Sequence, residues 1–185
     1  MKEMVKERIW TYEDYLKLED DKRYEVINGR LVEMPAPNFE HQKILKRLLI
    51  LLVKFVESGE SLGEVIPAPF DVILSKTVVV QPDIVYISKG SLKNIKEGRM
   101  FGLPDLVIEI ISPSTTRRDT VVKKGIYQEF GVKECWIVYP YEKAIEVWVL
   151  DDKGNYELYS FAEGKGKVKS KVLEGLEIDL EEVFK

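Results

Sequence analysis

The stretch PDLVIEIIS, residues 104–112, decides the fold, because it is apolar on both faces of a strand. Successive side chains of a strand point to opposite faces, and here both sets are apolar except for Glu109. A strand of this kind is typical of the buried centre of a sheet. An ionised carboxylate at that depth costs several kcal/mol unless a cation or hydrogen bonds compensate it. The sequence therefore predicts a central strand in which Glu109 has a specific partner.

A second acid has a comparable position in VVVQPDIVYI, residues 78–87. Pro82 cannot donate to a strand ladder, so it marks an irregularity or an edge at which Asp83 can turn inward. Sequential strands are neighbours about two-thirds of the time, and the carboxylates of Asp83 and Glu109 would then converge. Two converging carboxylates suit a hard cation such as Mg²⁺, which keeps several waters for a phosphate substrate.

Each acid also has a structural interpretation. Glu109 alone is a paired structural carboxylate as often as it is a ligand, and an acid that follows a proline, such as Asp83, is usually a turn former. The two together favour a functional site, because perturbed acids gather at such sites.

The remaining patterns predict a mixed sheet with helices packed on it. Helices are expected at 11–18, begun by a capping box, at 40–57, ended by Gly59, and at 119–130, ended by Gly131. A hairpin is expected across Asn28-Gly29, and further strands at 64–74, 78–87, 105–111, 134–139, 144–150 and 155–161. This order indicates an α/β or α+β layered fold. The 185 residues contain no repeat or linker, so a single domain over 1–185 is expected.

The helix at 40–57 has an apolar stripe wider than one face, with Ile50 and Leu51 beside the main stripe. Such a helix is covered on two sides. One cover is the sheet, and the other could be a partner subunit. A homodimer is therefore expected.

Composition limits the partners. The net charge of −4 provides no general attraction to nucleic acid, so any such contact must be local. The loop 112–118 is a candidate, because the guanidinium groups of Arg117 and Arg118 can bind phosphates. A single cysteine, Cys135, excludes an intrachain disulfide and favours a reducing, cytoplasmic setting. The longest apolar run, Leu48–Val53, is far below the roughly 20 residues that span a bilayer, so no membrane partner is expected.

The helix at 119–130 carries a candidate cation. Asp119, Lys123 and Tyr127 are spaced four apart and share one face. Lys123 could thus point towards the two acids, whereas Lys124 lies about 100° further round the helix. The alternative is that Asp119 only caps the helix, with Lys123 as its ion-pair partner on a solvated face.

Six ordered blocks resemble the Uma-type restriction endonuclease family, which is assigned to the PD-(D/E)xK nuclease superfamily. The blocks are YEVINGRLVEM, FEHQ, VVQPDIVYIS, PDLVIEIISPST, RRDTVVKKGIYQEFGVKECWIVYP and LEGLEIDLEEVF. They extend over about residues 10–184. The resemblance implies a restriction-endonuclease-like core, which is a four-stranded mixed sheet flanked by helices, with additional antiparallel strands.

The resemblance also implies a set of site residues. Asp83 matches the first acid of the superfamily, and Glu109 matches the acid of the second half-motif. Ile111 stands where the superfamily has its lysine, and Lys123 on the following helix takes that role. Glu25 corresponds to a glutamate that related nucleases use as an extra metal or water contact.

These residues imply a metal-dependent endonuclease that hydrolyses phosphodiester bonds, of DNA more readily than RNA. Asp83 and Glu109 would bind Mg²⁺, for which Mn²⁺ could substitute, and Lys123 would orient or deprotonate the attacking water. Two alternatives stay open. One is a nuclease-fold binding or regulatory protein without cleavage, which the missing strand lysine and the acidic charge favour. The other is a structural homodimeric interaction module, which a Glu109 bound to Lys or Arg with no open coordination position would favour. His41, the only histidine, is more typical of a structural polar residue than of a base.

Overall fold

The computed structural model describes residues 8–112 and 118–185, apart from the side chains of Arg118 and Asp119. The helices are α1 (Tyr12–Tyr15), α2 (Phe39–Val56), α3 (Lys124–Phe130) and α4 (Leu180–Phe184), with a 3-10 turn at Leu92–Asn94 and a π-helical turn at Arg118–Lys123. The strands are β1 (Tyr24–Ile27), β2 (Arg30–Glu33), β3 (Gly63–Pro67), β4 (Val72–Ser75), β5 (Val78–Val80), β6 (Ile84–Ser88), β7 (Ile95–Lys96), β8 (Arg99–Phe101), β9 (Leu106–Ile110), β10 (Glu134–Tyr139), β11 (Ala144–Leu150), β12 (Tyr156–Glu163), β13 (Lys167–Lys169) and β14 (Glu177–Asp179).

Two six-stranded sheets make up most of the fold. The first sheet has the order β2-β1-β5-β4-β8-β7 and the second has the order β12-β11-β10-β9-β6-β3, while β13 and β14 form a separate pair. Each large sheet is mixed, because β4 runs parallel to β8 and β9 runs parallel to β10. The mixed sheets with flanking helices confirm the predicted fold class.

The central strand β9 is buried on both faces, as its apolar sequence predicts. On one face Ile108 and Ile110 pack in a core with α2, through Ile44 and Leu48. On the other face Val107 packs in a core with side chains from the first sheet and from α3. All five residues of β9 are buried, including Glu109. Both sheets and two helices therefore surround β9, with α3 and the first sheet on the face that carries Glu109.

Two of the predicted strands are wrong in their extent. The segment 64–74 is divided between β3 in the second sheet and β4 in the first, and 78–87 is divided between β5 in the first sheet and β6 in the second. The second division falls at Gln81–Asp83, where Pro82 has no N–H to donate. The chain therefore crosses from one sheet to the other immediately before Asp83.

The local turn and cap signals are confirmed more closely than the element lengths. Asn28 and Gly29 have φ of 49° and 77° and join the antiparallel pair β1–β2. The capping box of Thr11 and Asp14 begins α1, which ends at Tyr15 instead of 18. The helix predicted at 119–130 ends at Gly131 as expected, but its first five positions belong to the π-helical turn Arg118–Lys123.

The second cover of α2 is the chain's own C-terminal segment. Residues of that segment lie in the same core as the buried side of α2, namely Leu173, Leu176, Leu180, Val183 and Phe184. Arg47 of α2 donates to the carbonyl oxygen of Val183 at 3.1 Å. This segment covers part of the apolar surface of α2, while Ile50 stays 56 % exposed, so the partner subunit stays a prediction.

Across 8–112 and 118–185, each helix is too short or too polar to cross a membrane.

Candidate active site

The candidate site lies where the chain crosses between the two large sheets. Asp83 follows the crossing segment and precedes β6, in which Ile84 pairs with Ile108 of β9. Asp83 is therefore level with Glu109, one position further along the two antiparallel strands. The Asp83 Oδ2 atom accepts the backbone N–H of Ile110 at 2.7 Å. The prediction that the two acid-bearing strands are neighbours is confirmed.

Glu109 is bound by two side chains from the helical segment after β9. Its Oε1 atom lies 2.6 Å from Lys123 Nζ and accepts a hydrogen bond of 2.5 Å from the Tyr127 hydroxyl. Lys123 and Tyr127 are four residues apart, and both face Glu109 as the spacing predicts. The side chain of Asp119, the third member of that predicted face, lies outside the described part.

Lys123 also binds an acid of the other sheet. Its Nζ atom is 2.9 Å from Oε1 of Glu25 on β1, and the side chain is 0 % exposed. The same Glu25 oxygen accepts the backbone N–H of Gln81 at 2.8 Å. Within the described residues, the other carboxylate oxygen of Glu25 is buried without a hydrogen-bond partner. Lys123 therefore joins the two sheets through Glu25 and Glu109.

The two candidate lysines have different surroundings. Lys123 contacts the acids, whereas Lys124 Nζ lies 3.6 Å from the centroid of the Trp148 ring. This geometry favours Lys123 as the lysine of the site. Arg117 lies outside the described residues, as does the side chain of Arg118, so their predicted phosphate contacts stay predictions.

His41 is a member of the cluster that sequence reasoning missed. Its Nε2 atom lies 3.2 Å from Asp83 Oδ1, and the imidazole is almost fully buried at the start of α2. In the sequence, His41 stands out as the only histidine and as part of the FEHQ block. Neither feature indicates a contact with Asp83. Gln81 was missed as well. It contacts Glu25 through its backbone N–H, and the residue type does not indicate a contact made by the backbone.

Among the described residues, the cluster holds three carboxylates and one lysine. Lys123 contacts Glu25 and Glu109, and the imidazole of His41 lies beside Asp83. Burial and the nearby Glu109 and Glu25 raise the pKa of Tyr127 well above its usual value, so the phenol stays a neutral donor. Carboxylates gathered in a largely buried place can serve as oxygen ligands of a cation.

The donor atoms fit a hard cation with few protein ligands. No group of three or more His, Cys, Asp or Glu side chains in the described ranges forms a metal cage. Mg²⁺ needs no such cage, because one or two carboxylates usually hold it while waters and substrate phosphates complete its shell. Asp83 and Glu109 supply oxygen donors from adjacent strands, and Glu25 adds a buried carboxylate oxygen that has no described partner. The residues therefore suit Mg²⁺ and do not suit a closed zinc site.

Comparison with known proteins agrees with this geometry. A family model described as "Uma2: Putative restriction endonuclease" matches residues 12–181. The chain belongs to the Uma2 family. No curated protein matches this Uma2 chain.

A solved structure also resembles the Uma2 chain over nearly its whole length. It is described as the "crystal structure of a putative nuclease belonging to DUF820 from Anabaena variabilis ATCC 29413". The match has a TM-score of 0.77 and 19% sequence identity, and covers 94% of this chain and 97% of the other. At this identity the likeness shows a shared fold. Family and fold together point to a nuclease.

Proposed function

We propose that this Uma2 protein is a Mg²⁺-dependent endonuclease that hydrolyses phosphodiester bonds of nucleic acid, DNA more readily than RNA. Mn²⁺ would substitute for Mg²⁺. One observation carries the proposal: Lys123 contacts both Glu25 and Glu109. Glu109 lies on β9, which pairs with the strand that Asp83 precedes. The family and the fold support the nuclease class.

In this proposal the acids of the two adjacent strands, Asp83 and Glu109, hold the cation. A Mg²⁺ ion held by these carboxylates would supply Lewis-acid chemistry, making a water more acidic and offsetting negative charge on the phosphate. Asp83 is prepared for this by the N–H of Ile110, which holds one carboxylate oxygen. Glu109 is prepared by Tyr127, which donates to its Oε1 atom.

Lys123 acts next to the reacting phosphate. An ammonium group paired with two carboxylates is suited to orienting the attacking water and to balancing negative charge on the phosphoryl oxygens. Glu25 keeps the lysine in place from the opposite sheet. Arg117 and Arg118 would bind the phosphates on either side of the scissile bond.

One observation favours the alternative of a structural interaction module. Glu109 is bound by Lys123 and Tyr127, as a structural carboxylate would be. A purely structural pair, however, does not require a third acid, yet Asp83 stands level with Glu109 on the adjacent strand. The matching family model also describes an endonuclease. The nuclease is therefore the better supported proposal.

Cleavage of supercoiled plasmid with Mg²⁺ or Mn²⁺ tests the proposal. We expect Asp83→Asn and Glu109→Gln each to lower the rate roughly 100-fold or more, because each removes a direct cation ligand. Glu64→Gln, an exposed acid on the neighbouring β3, is the matched control and should cleave like the wild type. A single-stranded RNA substrate in parallel tests the preference for DNA.

The outcomes separate the accounts. Cleavage that survives in both site variants would remove the mechanism. A wild-type protein that binds Mn²⁺ and nucleic acid but cleaves neither substrate would establish the binding or regulatory alternative.

The homodimer stays a prediction. The C-terminal segment covers part of α2, but Ile50 of that helix is 56 % exposed, and Leu158, Tyr159 and Phe161 of β12 are each about half exposed. Sedimentation equilibrium of the full chain over a tenfold concentration range would show whether a dimer forms.

A further inference from the structure

His41 and Asp83 are joined in a way that the proposed chemistry has not yet used. The Asp83 carboxylate is held at both oxygens, by the Ile110 N–H at Oδ2 and by His41 Nε2 at Oδ1, at 2.7 and 3.2 Å. One contact comes from the second sheet and the other from α2. The carboxylate is therefore fixed between two separate elements.

The position of His41 is itself determined by the helix. The side chain of Asn38 caps α2 and accepts the backbone N–H of His41 at 2.9 Å. One turn further on, Ile44 and Leu48 anchor the same helix in the core. The imidazole is held almost without solvent contact, with 9 % of the side chain exposed. His41 therefore reaches Asp83 from a rigid support.

The other ring nitrogen of His41 shows that a histidine at this position lowers the stability of the fold. Nδ1 of His41 is buried and has no hydrogen-bond partner among the described residues. A buried polar atom without a partner destabilises a fold, so a histidine that only filled space here would be a poor choice. The contact of Nε2 with Asp83 is therefore the advantage of a histidine at this position.

We propose that His41 is a positioning residue that fixes the Asp83 carboxylate for divalent-cation binding. This inference rests on the proposed function, because it assigns Asp83 to the cation. The Asp83 side chain is 19 % exposed, so without His41 it is free to turn towards solvent. Groups that hydrogen-bond to a metal ligand typically change metal affinity by about 10–100-fold when they are removed.

The test measures Mn²⁺ affinity by electron paramagnetic resonance of free Mn²⁺, with protein prepared without a histidine tag. His41→Phe keeps a ring but loses the donor, and we expect it to bind Mn²⁺ about 10–100-fold more weakly than the wild type. His41→Gln places an amide N–H near the position of Nε2 and should restore affinity to within a few-fold. Gln42→Ala, an exposed neighbour on the same turn, is the control and should bind normally.

A second readout uses the fact that the chain has one histidine. Its imidazole ¹⁵N signals need no assignment by mutation. We expect Mg²⁺ to shift them in the wild type, and to leave them unchanged in Asp83→Asn. Backbone amide spectra of His41→Phe and His41→Gln show whether each variant is folded before its affinity is compared.

Different failures identify different errors. If His41→Phe is folded and binds Mn²⁺ like the wild type, or if His41→Gln loses as much affinity as His41→Phe, the positioning role is wrong while the metal site stands. If the wild type binds no Mn²⁺ and Mg²⁺ moves no imidazole signal, the metal-dependent function and the role of His41 are both wrong.

Discussion

Lys123 carries a charge in a fully buried position between carboxylates of two different sheets. Removing one partner of a buried ion pair leaves an uncompensated charge and typically costs about 3–5 kcal/mol. We expect Lys123→Met to lower the free energy of unfolding by about that amount, measured by urea denaturation. The double variant Glu25→Gln with Lys123→Met should recover part of the loss, because one of the two facing carboxylates is then neutral.

Lys124→Met is the matched control at the residue scale. Lys124 lies over the Trp148 ring, and a cation–π contact near the surface contributes about 0.5–1 kcal/mol. The two adjacent lysines should therefore differ severalfold in their effect on stability. Equal losses would contradict the buried position of Lys123.

Single residues were also the scale at which sequence reasoning succeeded best for the site. Glu109 could be found because a charge in a strand that is apolar on both faces must have a partner, and Lys123 could be found from its spacing to Tyr127. The resemblance supplied Glu25. The contact between His41 and Asp83 could not be found, because it joins α2 to a crossing segment whose course no local pattern specifies.

For individual elements, the sequence predicts whether a segment is a helix or a strand better than it predicts where the element begins and ends. The stretch 78–87 is apolar on both sides of its centre, so a continuous strand and two strands in different sheets have the same pattern. The π-helical turn before α3 likewise keeps apolar residues in nearly helical spacing. The missed elements β13, β14 and α4 are short, and their positions depend on contacts with distant residues.

One such contact is a buried glutamate that holds the C-terminal segment. Glu134 on β10 accepts Trp136 Nε1 and Ser170 Oγ at one oxygen, and the backbone N–H groups of Lys171 and Val172 at the other. In Glu134→Gln, an amide NH₂ must face two of these donors. Buried donors without acceptors cost about 1–3 kcal/mol each, so we expect a loss of about 3 kcal/mol and faster hydrogen exchange at residues 170–185.

Hydrogen exchange followed by mass spectrometry checks this prediction at the level of peptides. The β1–β2 hairpin should keep its protection, because Glu134 does not contact it. Glu157→Gln, an exposed acid on β12, should change neither region. Unchanged protection of the C-terminal segment in Glu134→Gln would show that the segment is held by its apolar contacts alone.

The whole fold depends on the hydrophobic core that contains side chains from both large sheets and from α3. No local sequence pattern predicts this core, because its side chains come from several separate elements. Several tyrosine hydroxyls lie at or near this core and are hydrogen-bonded. Burial raises the pKa of Tyr127 and Tyr156 well above the usual value, and burial with a neighbouring carboxylate does the same for Tyr15 and Tyr139. These groups link the stability of the entire fold to alkaline pH.

The sign of this linkage follows from the direction of the shifts. Above about pH 10 these tyrosines lose their protons in the unfolded chain but keep them in the folded one. The unfolded state then binds fewer protons, so the free energy of unfolding falls as pH rises. We expect stability to be unaffected by these groups below pH 10 and to decline steeply above it.

Absorbance at 295 nm measures the ionisation of the nine tyrosines. In the native protein, some of them should ionise only when the near-ultraviolet circular dichroism is lost. In concentrated guanidinium, all of them should ionise near pH 10. Ionisation of all nine near pH 10 in the native protein would contradict the buried arrangement of these hydroxyls.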